Sequence, residues 1–165
     1  MIKTLVVTMG IPGSGKTTYV NAWADQLRDN GNNPEIICPD DIRAELGDAS
    51  DQTRNEEVFR IAHQRLVEAI SSNEPVAFFD ATNIKGFARE NILSIIDSHN
   101  VSDEPRSRNT YAILAIISCD LGQAKLRNST RERKVPDHVI DRMHAEMAGQ
   151  VDLVSSEGWD RIINA

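Results

Sequence analysis

The sequence predicts an α/β domain in which a parallel β-sheet is flanked by helices. Three observations predict it. The segment Gly10-Ile11-Pro12-Gly13-Ser14-Gly15-Lys16-Thr17-Thr18 fits the phosphate-cradling pattern G-x-x-x-x-G-K-[ST], and it joins a strand-like run to a helix-like one. Strand-like and helix-like segments then alternate along the rest of the chain. Polar clusters follow directly on several of the strand candidates, at the carboxyl ends where such sheets bind ligands.

Leu5-Val6-Val7-Thr8-Met9 is apolar and β-branched, as a strand buried on both faces requires. Thr18 to Leu27 places Val20, Trp23, Ala24 and Leu27 at helical spacing. Glu35-Ile36-Ile37-Cys38 reads as the second strand, opening after Gly31 and Pro34. Pro39-Asp40-Asp41 starts a short helix through Leu46, since proline and acids suit a helix N-terminus. Thr53 to Ile70 is the longest helix candidate, its apolar face made by Val58, Ile61, Ala62, Leu66, Ala69 and Ile70. Pro75 to Asp80 reads as a buried third strand and Ala88 to Ser98 as a helix. Residues 101–109 are polar, contain Pro105 and read as a surface loop. Tyr111 to Ile117 is a fourth strand, Leu121 to Thr130 and Val139 to Val154 are helices, and Trp159 to Ile163 adds a short last strand.

The 165 residues form one domain, expected to span the whole of 1–165, with an apolar fraction of 40% that is ordinary for a globular protein. The net charge of −7 argues against a broad basic surface for long nucleic acid, though a short stretch or an end can still be held by a few arginines. Cys38 and Cys119 match no metal spacing and read as free thiols of a reducing compartment. No run approaches the ~18 apolar residues of a membrane span, and no signal-peptide pattern is present, so the expected location is cytoplasmic. The four histidines have no partner at metal-ligand spacing and read as surface or packed residues, and Trp23 and Trp159 as core.

The candidate chemistry starts at the glycine-rich loop. With no Cβ on Gly10, Gly13 and Gly15, the backbone can curl its N–H groups inward and make, with the helix N-terminus, an anion site. Gly13, Ser14, Gly15, Lys16, Thr17 and Thr18 are the expected ATP contacts. Lys16 reaches the β- and γ-phosphates and Thr17 offers a hydroxyl to Mg²⁺. Asp40 and Asp41 follow a strand, with Arg43 one helical turn from Asp40. A carboxylate there can take the proton of an acceptor hydroxyl while the arginine grips a neighbouring phosphate, or the group is a capped helix start with a local ion pair. Asp80 ends a strand, where an acid can hold Mg²⁺ through water or simply open a turn; Thr82 and Asn83 contact substrate or form that turn. Lys125, Arg127, Arg131, Arg133 and Lys134 are five bases within ten residues, against the single acid Glu132, in an otherwise acidic chain. Arg127 and Arg131, four apart, fit one helix face over a transferring phosphate, or the run is a solvated helix face.

Taken in order, these clusters resemble the kinase domain of bacteriophage polynucleotide 5′-hydroxyl kinase and related P-loop kinases. The matching residues are the loop from Gly10 to Thr18, then Asp40-Asp41-Ile42-Arg43, Asp80-Ala81-Thr82-Asn83, Arg127-Asn128-Ser129-Thr130-Arg131 and Val135-Pro136, spread over residues 4 to about 147. The resemblance implies a P-loop kinase-like sheet with an arginine-bearing lid, and Mg²⁺-dependent transfer of the γ-phosphate of ATP to a 5′-hydroxyl of DNA or RNA. It implies Asp40 as general base, Arg43 on the acceptor's phosphate, and Arg131 as the lid arginine on the donor phosphates, with Lys16 as the third catalytic residue and Arg127 beside the ATP. Acceptor contacts are then Asp40, Arg43, Thr82 and Asn83. Two departures stand out: the acid that precedes the Thr-Asn pair in the phage enzyme is Ala81 here, which leaves the role of Asp80 open, and the lid before Val135-Pro136 is one residue shorter. The phosphatase domain of the phage enzyme lies outside this sequence, so no 3′-phosphatase activity is expected of it. A relative acting on another hydroxyl, such as hydroxymethyl-pyrimidine in phage DNA or a small-molecule alcohol, would use the same base, loop and lid. A guanine-nucleotide switch would carry Asn-Lys-x-Asp, which is absent.

Overall fold

A computed structural model describes residues 2–47, 51–99 and 109–165. The loop expected over residues 101–109 lies, except for Asn109, outside these. The elements run β1 (Lys3–Met9), α1 (Lys16–Asp29), β2 (Glu35–Ile37), α2 (Pro39–Glu45), α3 (Asn55–Ser71), β3 (Val76–Phe79), α4 (Gly86–Ser98), β4 (Thr110–Ile116), α5 (Leu121–Ser129), α6 (Asp137–Gln150), a 3₁₀ turn (Val154–Ser156) and β5 (Arg161–Asn164). The strands form one sheet in the order β2-β3-β1-β4-β5, and every neighbouring pair is parallel. The expected α/β class, with helices flanking a parallel sheet, is what the chain adopts.

The order explains the composition of β1. It is the central strand, paired with β3 (Leu5 opposite Ala77) and with β4 (Val7 opposite Leu114). A strand covered on both faces needs apolar residues at successive positions, and Leu5, Val6, Val7 and Met9 are all fully buried. Because side chains alternate across a strand, Leu5, Val7 and Met9 join one core with α3, α4, α5 and α6, while Val6 joins a smaller core with Val20 and Ala24 of α1. In that smaller core Trp23 meets Phe78 edge-on, with ring centroids 5.6 Å apart.

Element ends differ from the sequence expectation by a few residues. Helix α1 starts at Lys16 rather than Thr18, because Gly15 supplies the left-handed N-cap (φ 105°) and the loop turns straight into the helix. The last long helix ends at Gln150, and residues up to Val154 continue as a turn and the 3₁₀ segment. All strands being parallel, the carboxyl ends of β1, β2, β3 and β4 open on one edge of the sheet. That edge receives the glycine-rich loop, Asp40-Asp41, Asp80 and the start of α5.

Candidate active site

The glycine-rich loop leaves β1 at Met9 and is pinned at once: Gly10 N donates to the Thr82 carbonyl at 3.0 Å. Gly13 is left-handed (φ 81°), and a Cβ there would stand 2.2 Å from the Ala124 carbonyl oxygen of α5. Only glycine satisfies both conditions, and its absence of side chain lets the loop lie against the helix that precedes the lid. The Ser14 hydroxyl is buried and has no hydrogen-bond partner among the described residues. An orphaned donor inside a curl of backbone N–H groups suits an anionic ligand.

Lys16 lies half-buried at the first turn of α1, and its Nζ donates to the Ile11 carbonyl at 2.8 Å. Its pKa is lowered to about 8, chiefly by loss of hydration and further by the Arg131 charge; Asp80 and Asp40 pull the other way. A polyphosphate beside Lys16 favours the ammonium and raises its pKa again. The sign of the pH dependence follows. Below the free-state value the amine is already charged and binding takes up no proton at Lys16. Above it, binding must recharge the amine, so nucleotide affinity falls as pH rises. Calorimetry of Mg·ATP binding at about pH 8.5, in buffers of differing ionisation enthalpy, should therefore register net proton uptake that disappears in Lys16→Met. Zero uptake in the wild-type protein contradicts this account.

Asp80 closes β3, nearly buried, and its backbone N donates to the Ile37 carbonyl at 2.8 Å. Thr17 Oγ1 donates to its Oδ2 at 2.7 Å, and Thr8 Oγ1 contacts its Oδ1 at 3.2 Å. A hydroxyl and a carboxylate, both hard oxygen donors at the mouth of a phosphate cradle, fit Mg²⁺, which keeps several waters and takes few protein ligands. No cluster of three or more histidine, cysteine or acidic side chains that could cage a metal occurs among the described residues.

The expected acceptor contact Asn83 is placed otherwise. Its side chain is buried and its Nδ2 donates to the Thr8 carbonyl at 2.8 Å; its backbone is left-handed (φ 44°). It does not line the cleft, whereas Thr82 does. Asn83 instead fixes the turn after β3, with help from a residue that nothing in its sequence surroundings singles out. Arg89 of α4 is fully buried; its Nη1 donates to the Asn83 carbonyl at 2.8 Å and its Nε and Nη2 pair with Glu157 at 2.8 and 2.6 Å. Burial pushes the Glu157 carboxyl up, but hydrogen bonds from Arg89 and Trp159 outweigh it and hold the group below its ordinary value.

Helix α2 presents Asp40 and Asp41 to the same space. Asp40 Oδ1 takes two guanidinium groups, Arg43 Nη1 and Arg133 Nη1, each at 2.6 Å. Arg43 is buried, its Nη2 donates to Asn55 Oδ1 of α3 at 2.7 Å, and its Nε has no partner among the described residues. The Asp41 carboxyl is shifted up by burial and by the like charges of Asp40 and Asp80. Cys38 stands beside them with its thiol pushed up to about 11 by burial, so at neutral pH it is a protonated wall residue and not a nucleophile.

The basic run is divided by the end of α5. Arg127 is in the last turn of the helix, with Nη1 3.4 Å from the Ser14 carbonyl, but Arg131 lies two residues past Ser129. The expected shared helix face therefore does not relate these two arginines. The lid segment is shaped instead by Asn128, which is buried: its Nδ2 donates to the Val135 carbonyl at 2.8 Å and its Oδ1 accepts from Val135 N at 3.0 Å. This two-bond clip closes residues 129–134 into a loop that carries Arg131 and Arg133 over the cleft. At about 1 kcal/mol per bond, Asn128→Ala should raise the rate of tryptic cleavage at Arg131, Arg133 and Lys134 by roughly 5- to 30-fold. Unaltered cleavage means that the clip does not hold the lid.

Together these groups line one cleft of about 680 Å³, from Gly13, Lys16, Thr17 and Thr18 at one side to Arg43 and Phe59 at another, with Arg127, Arg131 and Arg133 from the lid. Lys16 and Thr17 of α1, Asp40 and Arg43 of α2, and Asp80 and Thr82 after β3 are thus brought together from three places in the chain.

A five-stranded parallel sheet with a P-loop after its central strand, carboxylates at neighbouring strand ends and an arginine-bearing segment across them make a P-loop kinase-like α/β fold. A family profile described as an AAA domain matches residues 5–149, and the chain belongs to that family. Among solved structures, a chain of the Pnkp1/Rnl/Hen1 RNA repair complex is similar with a TM-score of 0.73 and 14% identity, over 92% of this chain and 46% of that one. This chain thus spans less than half of that longer protein's length. A gluconokinase from Sinorhizobium meliloti 1021 is similar with a TM-score of 0.57 and 15% identity, over 99% of this chain and 82% of that one. At such identities the likeness is one of fold. Among the described residues no helix is long and apolar enough to cross a membrane.

Proposed function

We propose that residues 1–165 form a single polynucleotide 5′-hydroxyl kinase domain, transferring the γ-phosphate of ATP to a 5′-hydroxyl of DNA or RNA. The observation that carries this reading is the Asp40–Arg43 pair beside the P-loop, a carboxylate and a buried guanidinium 2.6 Å apart. A hydroxyl acceptor needs the first; an acceptor that also bears a phosphate uses the second.

In this reading the P-loop from Gly13 to Thr18 and Arg127 hold the donor phosphates. Lys16 and Arg131 offset the charge that spreads over the transferring group. Thr17 and Asp80 would hold Mg²⁺, which when bound neutralises phosphate charge. Asp40 takes the proton of the acceptor hydroxyl. The freed oxygen bonds to the γ-phosphorus as the bond from that phosphorus to the β–γ bridging oxygen breaks, and ADP leaves with the bridging oxygen. Arg43 grips the acceptor's adjacent phosphate, with Thr82 near the same end of the cleft. The partners in this reading are ATP and a nucleic-acid end, and a cytoplasmic location supplies both.

The test is transfer of label from γ-labelled ATP to a panel: 5′-hydroxyl DNA and RNA oligomers, nucleosides with and without a 3′-phosphate, hydroxymethyluracil DNA, gluconate and simple alcohols. Oligomers and 3′-phosphorylated nucleosides should be preferred, and Arg43→Ala should raise KM for these more than for the bare nucleoside. Preferential labelling of gluconate or of the modified base refutes the 5′-end reading, and so does an Arg43→Ala variant whose losses ignore the 3′-phosphate.

A further inference from the structure

Phosphoryl transfer accounts for the charged residues of the cleft but not for Phe59. Helix α3 buries Val58, Ala62, Leu66 and Ala69 in the main core. Phe59 sits about 100° further round the helix axis and turns out of that face. Phe59 is 37% exposed, and it is the one aromatic residue lining the cleft among the described residues.

Its placement ties it to the acceptor end. Asn55 lies one helical turn before Phe59, on the same face, and it is Asn55 that accepts from Arg43 at 2.7 Å while Arg43 donates to Asp40 at 2.6 Å. Side chains so related stand about 5–6 Å apart at their Cβ atoms. The ring thus neighbours the residue that holds Arg43, and Phe59, Asn55 and Arg43 line the same cleft. One turn further on, His63 faces Phe59 with ring centroids 6.3 Å apart and stacks on Phe79 at 6.4 Å. Burial lowers the His63 pKa, so the imidazole behind Phe59 is neutral at neutral pH. Phe59 is thus backed by a ladder of rings that reaches the sheet, while part of its own surface looks into a polar cleft. An exposed apolar ring beside a base and a phosphate-binding arginine has no role for a linear polyol. It matches an acceptor that carries a planar ring next to its hydroxyl and its phosphate.

We propose that Phe59 is a specificity residue on which the terminal nucleobase of the acceptor stacks. The inference rests on the 5′-hydroxyl reading above and adds to it that the acceptor is selected by its base as well as by its phosphate. Stacking of a base on an aromatic side chain corresponds to roughly a 5- to 100-fold effect in acceptor affinity.

The experiment compares two 5′-hydroxyl oligonucleotides that differ only at the terminal residue, one with its base and one with an abasic tetrahydrofuran. The wild-type protein should show a KM roughly 5- to 100-fold lower for the base-bearing acceptor at similar kcat. Phe59→Leu should erase that ratio and Phe59→Tyr should keep it. The ratio is taken within one preparation, so any loss of folded protein cancels. If the leucine variant does not fold, the tyrosine variant carries the test, and loss of the ratio with the ring retained overturns the proposal. A wild-type protein indifferent to the terminal base, or a leucine variant that discriminates like the wild type, overturns the stacking role while leaving 5′-phosphorylation in place. Failure to label either oligonucleotide overturns both.

Discussion

Asp40→Asn should lower kcat by roughly 10²–10⁴-fold while Mg·ATP affinity stays close to wild type. The amide is nearly isosteric and keeps an oxygen for the two guanidinium contacts that Asp40 Oδ1 now receives at 2.6 Å. Arg43 also keeps its bond to Asn55, so the acceptor end should hold its shape. What the amide cannot do is accept the proton of the attacking hydroxyl. Asp41→Asn should be milder, because the resemblance to the phage kinase puts the base at the first acid. The two carboxylates are close rivals in space, since both line the cleft and the proton affinity of Asp41 is raised by burial and by Asp40 and Asp80. Steady-state kinetics with γ-labelled ATP separates them. A dead Asp41 variant beside an active Asp40 one moves the base by one residue.

Much of this site was legible because its parts are local in sequence. The glycine spacing from Gly10 to Gly15 dictates a backbone shape, and the apolar run before it dictates a covered strand, so the order strand, loop, helix could be read directly. Parallel pairing then sends Asp40-Asp41 and Asp80 to the same edge without any knowledge of their contacts. The residue pairs that span the chain were not legible. Thr17 and Asp80 are each read from sequence as a Mg²⁺ contact, but the direct bond between them across 63 positions is not, nor is that of Arg133 to Asp40 across 93. From sequence Arg133 was merely one of five bases, and spacing favoured Arg131.

The residues that hold the site in shape were hidden for a different reason. Arg89 on an amphipathic helix has the signature of a solvated side chain; only the fold reveals that it is fully buried between Glu157 and the turn at Asn83. From sequence Asn83 reads as a substrate contact or as part of the turn after β3, and the resemblance favours the first; its amide instead satisfies a buried backbone carbonyl in that turn, a demand that short polar side chains often meet. Asn128 was seen only as part of a motif, though it makes both bonds of the lid clip. An asparagine near a helix end, with a proline eight residues on, is the signal that could have suggested it.

Lys16→Met should reduce turnover by roughly 10²–10³-fold or more without lowering the melting temperature. The methionine keeps most of the aliphatic stem and removes only the charge. In the free protein that charge is disfavoured, its pKa lowered to about 8 by desolvation first and the Arg131 charge second. Its one hydrogen bond here is to the Ile11 carbonyl at 2.8 Å, within the P-loop itself. Removing a penalised ammonium for the loss of one partly solvated bond leaves stability level or slightly raised. With polyphosphate bound the balance reverses: the ammonium faces developing negative charge in a place where water is scarce, and its contribution is then at its largest. Activity and stability should therefore separate in this variant. Near-normal turnover in a folded Lys16→Met protein would take the P-loop lysine out of the transfer step. A melting temperature lowered by several degrees would instead make Lys16 a structural brace of the loop through Ile11.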